Sequence, residues 1–445
     1  MQKTDSVFSF EGRPSLRESV PLAIQHVVAM VVGCCTPALL ISSAAGLDQA
    51  SATIMVQASL LLACLATLLQ LFPLGPVGAR LPMIMGVSFA YVPTMQSIVQ
   101  QNLGTASPVG IIAIILGAQL IGSVAAIIFG VFLKKLRVLF PPIVAGTVVF
   151  TIGISLWPTA VKYMAGGAGT ATYGMPINWL VSLVTLTVVI LLTHYAKGFW
   201  KLASVLSGLV VGYVLSIFLG MVDFSKVAEA GWFQLPRPFG FGIQFEGTAI
   251  ASMVIMYIVN SVQAIGDMAG TTSGAMDRMP TDRELQGGII CNGAANIVGA
   301  VFGGLPTATF SQNVGIVVTT KVINRSVLAL AAVIIGVAGF FPKVAALLTT
   351  IPNAVLGGAT ITVFASIAMT GIRLIVGDKL TARTMAIVGL AVGVGVGITN
   401  APGSLSGFPM WVDTIFGSNM VTVSTILVII LNLVIPKDED MLSGN

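Results

Sequence analysis

The chain has 445 residues, of which 56% are hydrophobic and 8% are charged, and its formal net charge is +5. Soluble domains carry about 25% charged residues, so this composition excludes a water-soluble fold and predicts an all-α polytopic membrane protein. The basic residues stand in short segments beside apolar stretches, so we expect the lipid bilayer as a partner and not nucleic acid. The four cysteines lie in apolar segments without the spacing of metal ligands, so we expect neither a metal site nor a cofactor.

About fourteen segments are apolar enough to cross a bilayer, which takes roughly 20 residues for an unbroken helix. The first seven are predicted at 20–41, 50–73, 82–95, 108–133, 139–161, 178–195 and 202–222. The second seven are predicted at 250–274, 285–303, 311–322, 325–341, 353–373, 382–400 and 419–436. Because an odd number of spans reverses the direction of the chain, two matching sets of seven would form an inverted repeat.

The positions of Lys and Arg predict the orientation of the chain, because cytoplasmic loops are enriched in these residues. With the N-terminus in the cytoplasm, 17 of the 21 Lys and Arg fall in cytoplasmic segments. The four on the other side are Lys162, Lys226, Arg237 and Lys343. We therefore expect a multi-pass protein of the cell membrane, inner or plasma, with both termini in the cytoplasm.

Two of the predicted spans are short, and each opens with a Leu-Pro pair. In the tenth span, Pro306 precedes a Ser-Gln-Asn run, which favours an extended piece over 305–311 and a half-helix from about Gln312 to Lys321. The third span, at 82–95, has the same entry in the matching place of the first half. Broken backbone at membrane depth persists only inside protein or beside a water-filled cavity, and half-helix N-termini attract ligands. The pair predicts a transporter site; a Pro/Gly loop between ordinary spans and a chance likeness of the halves are the alternatives.

The eighth span carries the most polar face of any span. Asn260, Gln263, Asp267 and Thr271 recur at steps of three and four residues, so they lie on one side of the helix. Asp267 is the one carboxylate that we place well inside a span, where it needs a proton or cation partner or a hydrogen bond between helices. In the first span, His26 is either a ligand for the substrate or a histidine satisfied by a neighbouring helix.

Gln312 suits a flat polar ligand. A primary amide has two donors and one acceptor, which match the alternating N–H and C=O edge of a planar heterocycle. Asn292 and Asn296 stand one helical turn apart in the ninth span, where they would brace the polar face of the eighth span.

The segment Gln312-Asn313-x-Gly315-x-x-x-x-Thr320-Lys321 resembles the signature of the nucleobase–ascorbate transporters, the nucleobase:cation symporter-2 family of xanthine, urate and uracil permeases. Gln25-His26 and the runs at 75–80, 264–267 and 370–373 resemble further patterns of that family, and the likeness covers about residues 16–436. A glutamine at the start of the signature is similar to the purine-type members.

The resemblance implies half-helices with short extended pieces in the third and tenth spans, and a chain divided into a core domain and a gate domain. The implied ranges are a cytoplasmic tail at 1–19, core domain at 20–133 and 250–341, gate domain at 134–222 and 342–436, an extracytoplasmic linker at 223–249 and a cytoplasmic tail at 437–445. Family members are homodimers through their gate domains and move substrate by an elevator-type motion.

The resemblance also implies which residues serve the substrate. The implied contacts are Ser88, Phe89, Ala90, Gln263, Phe310, Ser311 and Gln312, with Ser88 tuning specificity. The implied supporting or coupling residues are Gln25, His26, Asp267, Asn292 and Asn313. No residue is expected to be catalytic, because the resemblance implies a carrier and not an enzyme.

Two positions depart from the family pattern. Proton-coupled relatives usually have glutamate where this chain has Gln263, and xanthine-type relatives have aspartate where it has Asn292. Each change replaces a carboxylate by its amide, which leaves Asp267 and His26 as candidates for coupling to H+ or Na+. We therefore expect weak pH dependence, and facilitative transport stays open.

The leading interpretation is a secondary transporter of a purine-type base such as xanthine or urate. The alternatives within transport are a carrier of uracil or another small planar heterocycle, and an anion carrier, which would need a basic residue near the half-helices that the sequence does not show. A substrate-gated channel or receptor is a further alternative. A membrane enzyme would need a nucleophile–base or metal set, and the two histidines, His26 and His194, form no such set in the sequence.

Overall fold

The structure is a computed structural model that describes residues 7–136, 140–377, 380–409, 412–417 and 419–436. In the first half, the helices are α1 Leu16–Ala45, α2 Gln49–Leu71, α3 Val92–Asn102, α4 Pro108–Val131, α5 Leu133–Leu136, α6 Pro142–Ser155, α7 Trp157–Met164, α8 Pro176–Tyr195, α9 Phe199–Leu202 and α10 Ser204–Phe218. In the second half they are α11 Ser225–Glu229, α12 Gly247–Met276, α13 Asp282–Phe302, α14 Ser311–Thr320, α15 Arg325–Gly339, α16 Pro342–Thr349, α17 Asn353–Val376, α18 Ala382–Asn400 and α19 Met420–Val434. The two strands are β1 Met85–Val87 and β2 Thr307–Thr309.

The prediction of an all-α polytopic membrane protein is confirmed. Nine helical stretches within the described ranges are long and apolar enough to cross a membrane, and one of them is α6 and α7 taken together as Pro142–Met164. The helices α15 and α16, which meet at 83°, supply a tenth if they count as one span. The shorter apolar helices α10 and α19 coincide with the predicted seventh and fourteenth spans. The half-helices α3 and α14 take the places of the third and tenth. Every predicted segment thus has a helix, and the number of crossings and the inverted repeat stay predictions.

The third span differs from its predicted bounds of 82–95. The chain is extended at β1, makes a short 3-10 turn over Phe89–Tyr91, and becomes α-helical only at α3, which then runs on to Asn102. The Ser88 hydroxyl accepts from the N–H of Ala90 at 3.2 Å and so caps the turn. The polar end of α3 stays helical because the Asn102 amide donates to Ile98 O at 3.1 Å and to Glu246 at 3.0 Å.

The long helices fall into two groups that pack mainly among themselves. In the first group, α12 and α13 pack on α4, and α15 packs on α1 and α2. In the second group, α17 packs on α6, α7 and α8, while α10 packs on α8 and α18 packs on α19. The first group lies largely within the ranges predicted for the core domain, and the second within those predicted for the gate domain. The domain boundaries stay a prediction. The helix α16, which the prediction assigns to the gate domain, packs on α2 of the first group.

Glycines permit the close approach of α6 and α17. A Cβ atom added at Gly371 would lie 2.2 Å from the backbone nitrogen of Phe150, and one added at Gly153 would lie 2.4 Å from that of Ala368. Backbone atoms cannot give way as a flexible side chain can, so these two helices meet only because both positions lack a side chain. This contact joins two of the walls of the cavity described below.

We predict that Gly371→Ala lowers the free energy of unfolding by about 1–3 kcal/mol, because the added methyl forces α17 away from α6. The matched control is Gly389→Ala in α18, where no atom lies within 4 Å of the added Cβ. That change should be neutral or stabilising by about 0.5–1 kcal/mol, since alanine favours a helix over glycine. Thermal unfolding in detergent measures both, and equal shifts for the two variants would contradict the close approach.

Candidate substrate-binding site

The two broken spans meet as an antiparallel pair of strands. We call residues 80–102 the first arm and residues 305–325 the second arm. β1 of the first arm pairs with β2 of the second, with Gly86 opposite Ala308 in the middle. Beyond the ladder, Ser88 N–H donates to Pro306 O at 3.0 Å and Phe310 N–H donates to Ile84 O at 3.0 Å. The predicted extended piece and the half-helix after it are both present, and α14 begins at Ser311, one residue before the predicted start.

Side chains satisfy the outward-facing backbone of this short ladder. In an antiparallel pair, every second residue turns its N–H and C=O away from the partner strand. At Thr307, the N–H donates to Asn296 Oδ1 at 2.7 Å and the C=O accepts from Asn296 Nδ2 at 3.0 Å. At Met85, the N–H donates to Thr67 Oγ1 at 2.9 Å, and that hydroxyl donates to Met85 O at 3.2 Å. Both arms can therefore remain extended where lipid offers no hydrogen bonds.

The ring of Phe310 wedges between the first arm and α1. A Cβ atom added at Gly33 would lie 2.3 Å from this ring, and one added at Gly86 would lie 2.5 Å from it. Phe310 is buried, and both glycines face it without a side chain. The ring thus fixes the second arm against α1 and β1 just before α14 begins.

A cavity of about 200 Å³ opens beside the ladder, where β1 leads into the 3-10 turn and β2 leads into α14. Its lining comes from the first arm, the second arm, α12, α6 and α17: Val87, Ser88, Phe89, Ala90, Val149, Ile152, Gln263, Thr309, Phe310, Ser311, Gln312, Ser366, Ile367 and Thr370. None of these fourteen lining residues, all within the described ranges, carries a charge. The cavity is a neutral pocket with hydroxyls, two primary amides and apolar walls.

All seven of the implied substrate contacts lie around this one cavity. Gln312 is exposed towards it at the N-terminal end of α14, where free backbone N–H groups and the helix dipole also point. Gln263 is half-buried on α12, and its Oε1 is a buried acceptor without a partner among the described residues. An acceptor left in that state is expected to be satisfied by water or a ligand.

Asp267 lies behind the cavity and does not line it. Its carboxylate accepts from the hydroxyl of Thr309, and from Ser311 Oγ at 2.9 Å to Oδ1 and 3.1 Å to Oδ2. These two donors stand on either side of Phe310, so one carboxylate of α12 holds the bend between β2 and α14. The structure therefore gives Asp267 the hydrogen bond between elements that the sequence left as one of two alternatives.

His26 and Asn313 meet on the far side of α14. His26 is buried on α1, and its Nδ1 lies 3.4 Å from Asn313 Nδ2. Asn313 is also buried, and its Oδ1 is without a partner in the part of the chain that the structure describes. Gln25 is half-buried on α1 and is not part of the cavity lining. The histidine thus contacts the second arm from behind, as a residue satisfied by a neighbouring helix.

Asn292 belongs to a buried chain of amides. It donates to Asn260 Oδ1 at 3.2 Å and accepts from Asn296 Nδ2 at 3.1 Å. Asn296 in turn bonds the backbone and the hydroxyl of Thr307, the latter at 2.8 Å. The predicted bracing of the polar face of α12 by α13 is present, and the same chain reaches β2.

The sequence interpretation named none of the lining residues that α6 and α17 supply. Val149, Ile152 and Ile367 are apolar residues in apolar spans, so they carry no signal. Ser366 and Thr370 stand four residues apart on α17 and therefore share one face, which was a usable signal. Thr370 also donates to Ser366 O at 2.9 Å. Because serine and threonine can satisfy their hydroxyls within a helix in this way, their presence in a span does not by itself indicate a ligand site.

The helical fold and the cavity between two broken helices define the class, a multi-pass membrane transporter. Residues 17–404 match a family model described as "Permease family". The uric acid permease PucJ of Bacillus subtilis is 36% identical over 425 residues, which cover 93% of this chain and 91% of that protein. The xanthine permease XanP of Escherichia coli is 30% identical over 448 residues, covering 98% and 96%. The chain belongs to this permease family, the nucleobase–ascorbate transporters, and it is a transporter and not an enzyme.

A solved structure supports the fold. The transmembrane domain of the cyanobacterial bicarbonate transporter BicA superposes with a TM-score of 0.63 at 17% identity, covering 93% of this chain and 97% of that one. At this low identity the likeness shows a shared transporter fold and nothing about the substrate.

We predict that Asn296→Ala lowers the free energy of unfolding by about 2–4 kcal/mol, because it leaves the N–H and C=O of Thr307 buried without partners. The control is Asn400→Ala at the exposed end of α18, which loses a single bond to Val396 O at 2.9 Å. Thermal unfolding in detergent is the measurement. A variant at 296 as stable as the control would show that the ladder does not need this side chain.

Proposed function

We propose that this protein is a secondary transporter, or permease, of a purine-type nucleobase such as xanthine or urate. The observation that carries the proposal is the pair of primary amides, Gln312 and Gln263, that border one neutral cavity at the end of a half-helix. Each amide can match neighbouring N–H and C=O groups on the edge of a planar heterocycle. Relatives of this chain that are named as xanthine and uric acid permeases support the same class of substrate.

One aromatic ring of the lining suits a flat ligand. Phe89 lines the cavity from the first arm, whereas the ring of Phe310, which also borders the cavity, packs against α1 and β1. The ring of Phe89 is held edge-on by Phe364 of α17, with ring centroids 5.2 Å apart. Aromatic faces and edges gain most from contact with another planar ring, which an inorganic anion cannot provide.

The cavity is poorly suited to an inorganic anion. An anion carrier of this fold is expected to place a basic residue near the half-helices, and the described lining contains no Lys or Arg. The half-helix α14 contributes a positive potential there through its dipole and its free N–H groups. A purine in its neutral form fits these groups without a buried counter-charge.

We further propose alternating access by an elevator-type motion of the core domain against the gate domain. In support, α12 and the two arms bound one side of the cavity, and α6 and α17 bound the other. Transport would then move the first side past the second. The homodimer through the gate domains is carried over from the family resemblance.

Ion pairs support the proposed orientation with cytoplasmic termini. Four of them join two segments that the loop charges assign to the cytoplasmic side, namely Glu11–Arg80, Glu11–Arg325, Lys134–Asp282 and Lys321–Asp277, and the fifth, Arg278–Glu284, lies within one such segment. An ion pair between a segment assigned to the cytoplasmic side and one assigned to the other side would contradict the assignment, and none of these five pairs is of that kind. Four of the residues assigned to that side lie outside the described residues, namely Lys3, Arg137, Lys379 and Lys437, as does the tail at 437–445.

Coupling to an ion is proposed to be weak or absent. At position 263 the cavity offers an amide, and Asn292 is bonded within the amide chain. Asp267 remains as the buried carboxylate, and its oxygens already accept from two hydroxyls. H+ and Na+ therefore have no evident partner at the substrate.

We predict that xanthine or urate raises the melting temperature of the purified protein in a panel of purines, pyrimidines and ascorbate. A ligand that binds only the folded state stabilises it by RT ln(1 + [L]/Kd), which is about 2.7 kcal/mol at a hundredfold excess over Kd. Gln312→Ala is the matched variant and should lose the shift while it keeps the unliganded melting temperature. If uracil or ascorbate shifts the protein and purines do not, the substrate assignment is wrong.

We predict that xanthine uptake into proteoliposomes changes by less than about twofold when a protonophore collapses an imposed pH gradient, because no titratable group lines the cavity. The outer pH stays fixed, so the ionisation of xanthine does not change. Gln263→Glu should introduce dependence on the gradient by adding a protonatable group. A strong dependence in the unmodified protein that Asp267→Asn abolishes at unchanged protein level would instead establish a proton mechanism.

A further inference from the structure

The segment Ser9–Gly12, which we call the strap, docks on the chain that follows α14. Asn324 Nδ2 donates to Ser9 O at 2.9 Å and to Gly12 O at 2.8 Å. The Arg325 N–H donates to Phe10 O at 3.0 Å. Asn324 is fully buried, and its Oδ1 accepts from two backbone N–H groups at the start of α15. The strap is therefore fixed to the base of the second arm by three hydrogen bonds.

Glu11 of the strap also reaches the base of the first arm. Its carboxylate accepts from the guanidinium of Arg80 and lies 3.8 Å from Arg325 Nη1. Arg80 has a φ of 55°, a left-handed conformation that residues with a side chain rarely adopt. Its N–H donates to Gln70 O at 2.8 Å, which holds this backbone in place. The side chain is thus presented to Glu11 by a constrained turn.

Glu11 joins Arg80, at the start of the first arm, to Arg325, at the end of the second arm. Both arms also supply residues that line the cavity. Arg80 stands eight residues before Ser88 on the first arm, and Arg325 follows the half-helix that begins at Ser311. The ladder, Asp267 and Asn296 hold the two arms near the cavity. Glu11 adds a second link at Arg80 and Arg325, so that the arms are joined at two places.

We propose that Glu11 is a positioning residue for substrate binding, which sets the spacing of the two arms from outside the membrane-spanning part of the protein. It does not touch the cavity, and it acts through Arg80 and Arg325. This inference rests on the proposed function because purine uptake is its first readout.

Glu11 is ionised under the conditions of transport. Its hydrogen bond from Arg80, with the further charge of Arg325, holds the pKa of this carboxyl below its usual value. A lowered pKa means that the ion pair is complete at neutral pH and is lost only as the pH falls through that lowered value. Replacement by glutamine therefore removes the charge at every relevant pH.

The test compares Glu11→Gln, Arg80→Gln and the double variant in proteoliposomes with radiolabelled xanthine. We expect each single variant to raise KM about twofold to fivefold, an effect of the order typical of exposed ion pairs, with Vmax per protein unchanged. The double variant should be no worse than Glu11→Gln alone, because that change already removes the contact with Arg80. If one variant does not accumulate, the other removes the same pair from the opposite side.

The matched control is Glu18→Gln, a glutamate that bonds only the Ser15 cap of α1 at 3.1 Å and 2.9 Å. It should leave KM unchanged and lower the melting temperature slightly. An unchanged KM in the Glu11 variant, an equal rise in the Glu18 variant, or additive effects of the Glu11 and Arg80 changes would each overturn the proposal.

Hydrogen exchange separates this inference from the substrate assignment, because it needs no substrate. Glu11→Gln should speed exchange in peptides of both arms, 80–102 and 305–325, and leave α8 unchanged. If xanthine is not transported but this pattern appears, the substrate assignment is wrong and the positioning role of Glu11 is supported. If uptake of xanthine is normal and exchange in the arms does not change, only the positioning role of Glu11 is wrong.

Discussion

The site depends on the pairing of extended backbone at membrane depth. β1 and β2 have three residues each, and hydrocarbon cannot satisfy any N–H or C=O that the ladder leaves over. Asn296 bonds the outer edge of β2 and Thr67 bonds the outer edge of β1, so α13 and α2 complete what a larger sheet would supply. Because the strands run antiparallel, α3 and α14 leave the ladder in opposite directions. The cavity lies at that junction.

Most of the polar residues that mark this region act on the arms and not on the cavity. Asp267 holds the bend after β2, His26 contacts α14 from behind, and Asn296 fixes β2. Buried polar groups of this kind must be bonded, and bonding them to backbone or to neighbouring hydroxyls makes the arms rigid. What remains facing the cavity is neutral. The absence of charge in the described lining is thus the result of using the ionisable groups for support.

The parts of the fold that depend on local signals could be predicted from the sequence. Leu-Pro entries followed by small and polar residues placed the half-helix of the tenth span and marked the third span as broken, although not with the bounds of α3. The three- and four-residue steps placed Gln263 and Asp267 on one face of α12. Residues that meet across long separations could not be predicted. Val149 and Ile367 look like any other lipid-facing or core residue, and the polar end of α3 resembles a loop until its bond to Glu246 is seen. The strap was also invisible, because its contacts at Asn324 are made by backbone carbonyls, which every residue has.

The exchange of carboxylate for amide has different consequences at the two positions where it occurs. Asn292 is hydrogen-bonded to the amides of Asn260 and Asn296. At this position the exchange therefore alters a buried network of amides and not the lining of the cavity. Gln263 borders the cavity with a buried acceptor that has no partner among the described residues. Leaving such a group unpaired costs about 1–3 kcal/mol, and a ligand N–H that reaches it recovers that energy. A ligand that lacks the N–H cannot, and sites that demand a hydrogen bond discriminate far more strongly than apolar walls. Since an amide can also turn to present its donor, the proposed function gives Gln263 a part in selecting the edge of the heterocycle, which the apolar walls of the cavity cannot do.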